Sequence, residues 1–568
     1  MQVFKEEIIN ILKKEVKGKI TLENPPDSKL GDYAFPCFEL AKQLKKSPVE
    51  IAKDLALKIK PNKYIKEIKS TGPYVNFFIN ESILNEIILN EVLKQKENYG
   101  SWPKKNKRVV IEYPAPNTNK PLHLGHVRNM LIGESLSRIL EFNGFKVFRI
   151  NLNNDRGIHI CKSMLAYQKY GKNKTPESEK KKSDHFVGDF YVLYNKKLKQ
   201  HPELEKEAQE MLRKWESGDK ETVELWKKMN NWAVNGFNET YNVFGIKHDK
   251  TYNESEHYKK AKDIVLDNLK KGIFKKDEEG NTLIELEKYN MPNKILLRAD
   301  GTSVYMTQDL MLAKLKYADF KMDKSIFVVG SEQKLHFRQL FKVLELIGFK
   351  SFDGCYHLAY GMIMLPEGRM KSREGTVVDA DNIVDDMITL AKQEIKKRHE
   401  LDKKEIEKRA KQIGLGALSF FVLKYDALKD FVFNPKESIS FEGETGPYIQ
   451  YAHARICSIL RKFGKNIDKG FIDKAGLFLL KEKQETELIK LLGKFPDVVE
   501  NAASSYKPSL ISRYLLDLSQ SFNEFYHIHQ ILKEKEELRN ARILLIDSVR
   551  QVLKNGLNLL GIKAPERM

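Results

Sequence analysis

The chain has 568 residues and is 41% hydrophobic, enough for several cores and too long for one ordinary domain. Its 98 Lys plus Arg against 78 Asp plus Glu give a formal net charge of +20, which fits a polyanionic partner (RNA, DNA or acidic membrane) and equally fits solvated helix faces such as the Lys-rich stretch 392–411. Its four cysteines, Cys37, Cys161, Cys355 and Cys457, form no C-x-x-C pair, so neither a disulfide framework nor a cysteine zinc site is expected.

From the N-terminus, Val3, Phe4, Ile8, Ile9, Ile11, Leu12 and Val16 recur with helical spacing and open a small first domain. Glu6, Glu7 and Glu15 are unlike an acid-poor transit peptide, and no apolar run approaches the ~18 residues a membrane span needs, so a soluble cytoplasmic protein is expected. The stretch 31–57 mixes apolar and basic helical faces, and Thr71-Gly72-Pro73 reads as a turn into an aromatic strand, 74–79. The polar segment 102–107 marks a boundary.

Arg108-Val109-Val110-Ile111-Glu112-Tyr113 reads as a buried strand, followed by a Pro- and Asn-rich loop, a helix over 124–142 and a second strand over 146–152. Strand, loop, helix, strand is the unit of a parallel sheet, whose ligands sit beyond the carboxyl ends of the strands. The loop 114–126 therefore lies where ligand chemistry occurs. Ser325 to Val329 and the helix over 335–346 supply the sheet's other half, and about 170 residues between the halves require inserted structure. From Ile406 onward the periodicity is almost wholly helical. The expectation is a Rossmann-like parallel-sheet α/β catalytic domain with insertions (106–400), a small α+β N-terminal domain (1–105) and an all-α C-terminal domain (401–568).

Pro121-Leu122-His123-Leu124-Gly125-His126 places two imidazoles at the start of a helix, near the positive end of its dipole, where anionic phosphates bind. Gly125 leaves room for a flat adenine, and His123 and His126 can donate to phosphate oxygens. Alone, such a pair is as well explained as two half-buried helix-start histidines. The loop Glu367-Gly368-Arg369-Met370-Lys371-Ser372-Arg373-Glu374-Gly375 adds three cations between glycines. Neither a P-loop nor a dinucleotide-binding G-x-G-x-x-G is present. Together the two segments resemble the paired H-I-G-H and K-M-S-K motifs of class I aminoacyl-tRNA synthetases. Arg369 and Ser372 stand where the family motif has its two lysines, with Lys371 between them. In arginyl-tRNA synthetases a lysine just before the histidine motif, here Lys120, is thought to substitute. Lys120, Arg369 and Lys371 are thus candidate pyrophosphate contacts, and His123, Gly125, His126, Met370, Lys371 and Ser372 candidate ATP contacts.

The resemblance to the arginyl-tRNA synthetase family extends to the amino-acid site. Binding a guanidinium requires carboxylates placed for charge-assisted bonding. Tyr305 and Asp309 match a family Y-x-x-x-D pair on the guanidinium side, and Glu254, in Tyr252-Asn253-Glu254-Ser255-Glu256, a second acidic partner. Glu112 and Asn117 match positions holding the α-amino and carboxylate end, and Gln333 another binding position. Singly, each is as well read as an ordinary surface residue. Segments 31–36 and 72–76 look like the family's extra domain at the tRNA elbow, 442–455 like its junction with the anticodon-binding helices, and 560–568 like its usual ending. The resemblance implies ATP-dependent joining of L-arginine to tRNA(Arg) through an adenylate, with magnesium accompanying ATP, no protein-bound metal, no membrane and a monomeric chain. The rivals are another class I synthetase and a non-catalytic RNA-binding relative that has kept the scaffold.

Overall fold

The computed structural model describes residues 1–25, 27–364, 366, 378–398, 400–467 and 469–568. In the N-terminal unit, α1 (Gln2–Glu15) turns Phe4, Ile8 and Leu12 inward. They meet an antiparallel sheet of β1 (Tyr33–Pro36), β2 (Ile65–Thr71) and β3 (Tyr74–Ile79), in the order β1-β3-β2, with α2 (Phe38–Leu44) and α3 (Pro48–Lys58) alongside. The turn at Gly72 and the aromatic strand after it lie where expected. β1 was not expected, because its four residues sit within a stretch of helical periodicity. α4 (Glu81–Gln95) leads to the central unit.

β4 (Arg108–Glu112) buries Val109, Val110 and Ile111 completely, as a parallel strand covered on both faces must. α5 (Leu124–Phe142) crosses over to β5 (Lys146–Asn153), which pairs in parallel with β4 from Arg108↔Lys146 to Glu112↔Ile150. Four helices follow, α6 (Ile158–Tyr170), α7 (Ser183–Leu198), α8 (Glu203–Ser217) and α9 (Lys220–Phe244), before β6 (Lys250–Asn253) joins the sheet beside β5. α10 (Glu254–Lys270) and a small antiparallel sheet of β7 (Lys275–Lys276), β8 (Thr282–Ile284) and β9 (Lys294–Leu297) precede α11 (Tyr305–Phe320). β10 (Lys324–Gly330), α12 (Lys334–Leu346) and β11 (Cys355–Tyr360) complete the sheet, five-stranded among the described residues, in the order β11-β10-β4-β5-β6. Strand order reverses between β4 and β10, and the crevice beyond their carboxyl ends is where such sheets bind ligands.

Next come β12 (Ile363–Met364), α13 (Ala380–Lys396) and α14 (Lys403–Leu423). β13 (Phe431–Val432), which pairs back onto β12, and the short α15 (Pro435–Ser438) lead to α16 (Gly446–Phe463), α17 (Lys469–Asp473), α18 (Lys483–Ser505), α19 (Ser509–Ile528) and α20 (Glu536–Leu559). The helical C-terminal unit grips the others: Tyr99 Oη donates to the Leu492 carbonyl at 3.0 Å, and Ser135 Oγ to the Leu559 carbonyl at 3.0 Å. All four cysteines are free thiols, and among the described residues no helix is long and apolar enough to cross a membrane.

α5 is buried around almost its whole circumference. Arg128, inside it, donates from its two terminal nitrogens to the carbonyls of Gly361, Met362, Ala427 and Lys429 at 2.7–3.0 Å. Gly133 lies flat on the Tyr113 ring, and a Cβ there would stand 2.5 Å from Tyr113 Cδ1. Overpacking of this kind typically costs ~1–3 kcal/mol, so Gly133→Ala should lower stability by about that amount, read as a shift of the urea midpoint with unchanged slope.

Candidate active site

A cavity of about 830 Å³ opens at the switch point, among the ends of β4, β5, β10 and β11 and the start of α5. At one end stand the two histidines. His123 is the N-cap of α5: the Gly125 N–H donates to His123 Nδ1, and the His123 N–H donates to His126 Nδ1, each at 3.1 Å. This reciprocal cap brings the rings to a centroid separation of 3.9 Å. The shared side therefore arises from a cap and its third helical residue, not from two positions inside the helix. Both Nδ1 atoms accept from backbone amides, which leaves each neutral imidazole its hydrogen on Nε2. Burial, with Lys120 nearby, pulls His123 down to about 4; burial pulls His126 well below the ordinary range, helped by His123 and Lys120. Both are neutral donors at pH 7. Gly125 has an internal reason to be glycine, since a Cβ would lie 2.9 Å from His123 Cε1.

The other end is acidic. Glu112 closes β4, buried, with Oε2 2.9 Å from Nζ of the fully buried Lys316. Asn117 lies beside Asn154, whose side-chain amide donates to the Ala115 carbonyl at 3.0 Å. α11 begins at Tyr305, which is 77% exposed at the cavity mouth, and one turn later carries Asp309, whose Oδ2 lies 2.7 Å from His336 Nε2. Gln333, exposed just before α12, also lines the cavity. Glu254 is buried in an adjoining recess that shares Tyr305 and Asp309 with the main cavity, and its Oε1 is 3.6 Å from Arg156. Burial pushes its carboxyl up to about 7 despite that cation.

Of the residues singled out in the sequence, the structure gathers Glu112, Asn117, His123, Gly125, His126, Tyr305, Asp309 and Gln333 around one cavity, with Glu254 next door. Lys120 does not line it, though its charge acts on both histidines. Arg369, Met370, Lys371, Ser372 and Arg373 lie outside the described residues. Sequence reasoning missed Lys316, His336 and Arg156, the partners of the three acids. A signal existed for His336, one helical turn after Gln333, and for Lys316, two turns after Asp309. None existed for Arg156.

A helix start with histidine donors at the switch point, joined in one cavity to a carboxylate-lined recess, has the chemistry to take an anionic group at one end and a cationic one at the other. Residues 88–435 match the family model for the class I (R) tRNA synthetase catalytic domain, so sheet and cavity are those of a class I aminoacyl-tRNA synthetase. Residues 449–568 match the DALR anticodon-binding domain and residues 2–79 the arginyl-tRNA synthetase N-terminal domain. The chain is 47% identical over 560 residues to the arginine--tRNA ligase of Treponema denticola, covering 97% of this chain and 95% of that protein. It is 45% identical to that of Parabacteroides distasonis, covering 98% and 94%. The solved arginyl-tRNA synthetase of Thermus thermophilus superposes with a TM-score of 0.85 at 28% identity over all of both chains. This chain belongs to the arginyl-tRNA synthetase family.

The raised Glu254 carboxyl sets a pH dependence. Below about pH 7 it is protonated and neutral, and above it is an anion that attracts a guanidinium. The arginine KM should therefore fall as pH rises from 6 to 8, and Glu254→Gln should flatten the change, measured by ATP–pyrophosphate exchange across that range.

Proposed function

We propose that the start of α5 binds the ATP phosphates and that the acidic recess binds arginine, with His123 and His126 donating through Nε2, Tyr305, Asp309 and Glu254 facing the guanidinium, Glu112 and Asn117 the α-amino and carboxylate end, and Gln333 alongside. One observation carries this reading: a single cavity has neutral phosphate donors at one end and carboxylates at the other. The enzyme joins L-arginine to tRNA(Arg) in two steps. The arginine carboxylate attacks the α-phosphate of ATP and pyrophosphate leaves; a terminal ribose hydroxyl, the 2′ by family resemblance, then attacks the adenylate and releases AMP. No enzyme nucleophile is needed. Rate comes from alignment and from donors aimed at charge developing on phosphate oxygens. Lys120, Arg369 and Lys371 are the candidate cations for the pyrophosphate, and Gly125, Met370 and Ser372 complete the ATP set. Magnesium would accompany ATP and offset the charge of its phosphates.

In this reading residues 1–105 contact the tRNA elbow, 106–400 carry the chemistry and 401–568 bind the anticodon. The chain works as a monomer in the cytoplasm, in keeping with its free thiols and with cores that interlock within one chain. A non-catalytic RNA-binding relative would show no arginine-dependent ATP–pyrophosphate exchange even with cognate tRNA present.

Two substitutions divide the cavity. His126→Ala should lower kcat of exchange ~100-fold or more. Asp309→Asn should raise the arginine KM by ~2 kcal/mol or more in binding terms with little change for ATP. Equal effects of both variants on both substrates would defeat the assignment.

Arginine activation should itself depend on tRNA. Asp309 is already engaged by His336, Lys120 stands off the cavity wall, and the family resemblance points the same way. Exchange with arginine should be near background alone and appear on adding cognate tRNA. Comparable rates in both conditions would refute this.

A further inference from the structure

The four helices inserted between β5 and β6 have no part in the reaction as described, yet α7 touches the histidine turn from two sides. Upstream, its backbone packs directly on the residues before His123: a Cβ on Gly188 would stand 2.5 Å from Pro121 Cδ and 3.5 Å from Lys120 Cα. Downstream, the start of α7 meets the start of α13. His185 Nε2 lies 2.9 Å from Asp381 Oδ2 and 3.2 Å from Asp379 Oδ2. Lys182 Nζ donates to Asp381 Oδ2 and to Thr240 Oγ1 of α9, both at 2.6 Å. Asp184 lies wholly buried beneath, its Oδ2 3.6 Å from Lys182 Nζ and otherwise without a hydrogen bond. The Lys182 ammonium stands between the carboxylates where a metal ion would sit, so the cluster supplies its own cation.

Asp379 is also the residue that bridges His123. The Leu124 N–H donates to the Val378 carbonyl at 2.9 Å and the Ala380 N–H to the Leu122 carbonyl at 3.0 Å, one on either side of the His123–Asp379 pair. The Asp379 side chain has a neighbour at both oxygens: Oδ1 accepts from the Asp381 N–H at 2.8 Å, and Oδ2 lies 3.2 Å from His185 Nε2, whose hydrogen bond goes to Asp381. A continuous path of short polar contacts therefore runs from α7 through Asp379 to the backbone that sets the His123 ring. All five ionisable side chains of the cluster are at least two-thirds shielded from solvent, where charged hydrogen bonds are stronger than surface pairs.

We infer that α7 is the seat of the phosphate-binding turn, and that Lys182 and His185 are positioning residues that hold His123 in its capping geometry through Asp379 and Asp381. The inference rests on the reading of His123 as a phosphate donor. A group of that kind must be held closely, since misplacement by ~1 Å can cost ~100-fold in rate.

The test is a double-mutant cycle in the full-length enzyme: His185→Ala, His123→Ala and both together, assayed by ATP–pyrophosphate exchange with cognate tRNA and by thermal unfolding. His185→Gln, whose amide can still donate to one carboxylate, is the conservative control. His185→Ala should lower kcat ~10- to 100-fold while the arginine KM stays within about twofold. His185→Gln should restore much of that loss. In the His123→Ala background the further loss should shrink to less than about threefold, because the two residues act through one group. An unchanged kcat in His185→Ala, or a loss equally large in both backgrounds, would overturn the inference. Full activity in His123→Ala alone would remove the phosphate reading on which it rests, whereas a large loss there and none in His185→Ala would remove only the role of α7.

Discussion

A helix start can hold two imidazoles in a fixed direction only if the helix is held still, and the rest of this site depends on how α5 is held. Its N-terminal end carries the positive pole of the dipole. Four carbonyls from two distant segments fix Arg128, the Val328 carbonyl accepts from Asn129 Nδ2 at 2.6 Å, and the far end is tied to α20 through Ser135. A buried guanidinium with four carbonyl acceptors is expensive to move, because displacement would leave both partners desolvated and unpaired. The histidine end of the cavity thus inherits its rigidity from contacts in which Arg128, Asn129, Val328, Gly361 and Met362, all at the cavity wall, take part.

The amino-acid end is built on the opposite principle. Its carboxylates are not left bare: Lys316 holds Glu112, His336 holds Asp309 and Arg156 stands by Glu254. A buried acid without a close partner tends to be neutralised by a proton, and burial pushes Glu254, 3.6 Å from its Arg156 partner, up to about 7. The acids at this end are thus already oriented before any ligand arrives.

Much of the fold was legible because its elements carry strong local signals. The apolar run of β4, the 19-residue helix α5 and the faces of α14, α16, α18 and α19 were all readable in periodicity. β1 and the strands β7 to β9 were not, since they are two to four residues long and owe their conformation to pairing partners rather than to propensity. The candidate site was legible where motif and placement coincided, as at His123 and His126 or Tyr305 and Asp309. The partners of its acids were less so: His336 and Lys316 stand at helical spacing from Gln333 and Asp309, but Lys316 and Glu112 are 204 positions apart and nothing local pairs them. The role of α7 was invisible for the same reason: Lys182 and Asp381 are 199 positions apart.

The reciprocal cap on His123 and His126 also bears on which ions the site ignores. Two histidines three residues apart ordinarily make a ready chelate for zinc or copper, which need an imidazole lone pair. Here one nitrogen of each ring has its lone pair occupied by a backbone amide and the other carries the hydrogen. A transition metal could bind only by breaking both caps and fraying the helix that presents them. The caps thereby turn the pair from a chelate into two Nε2–H donors, a form that transition metals do not take up.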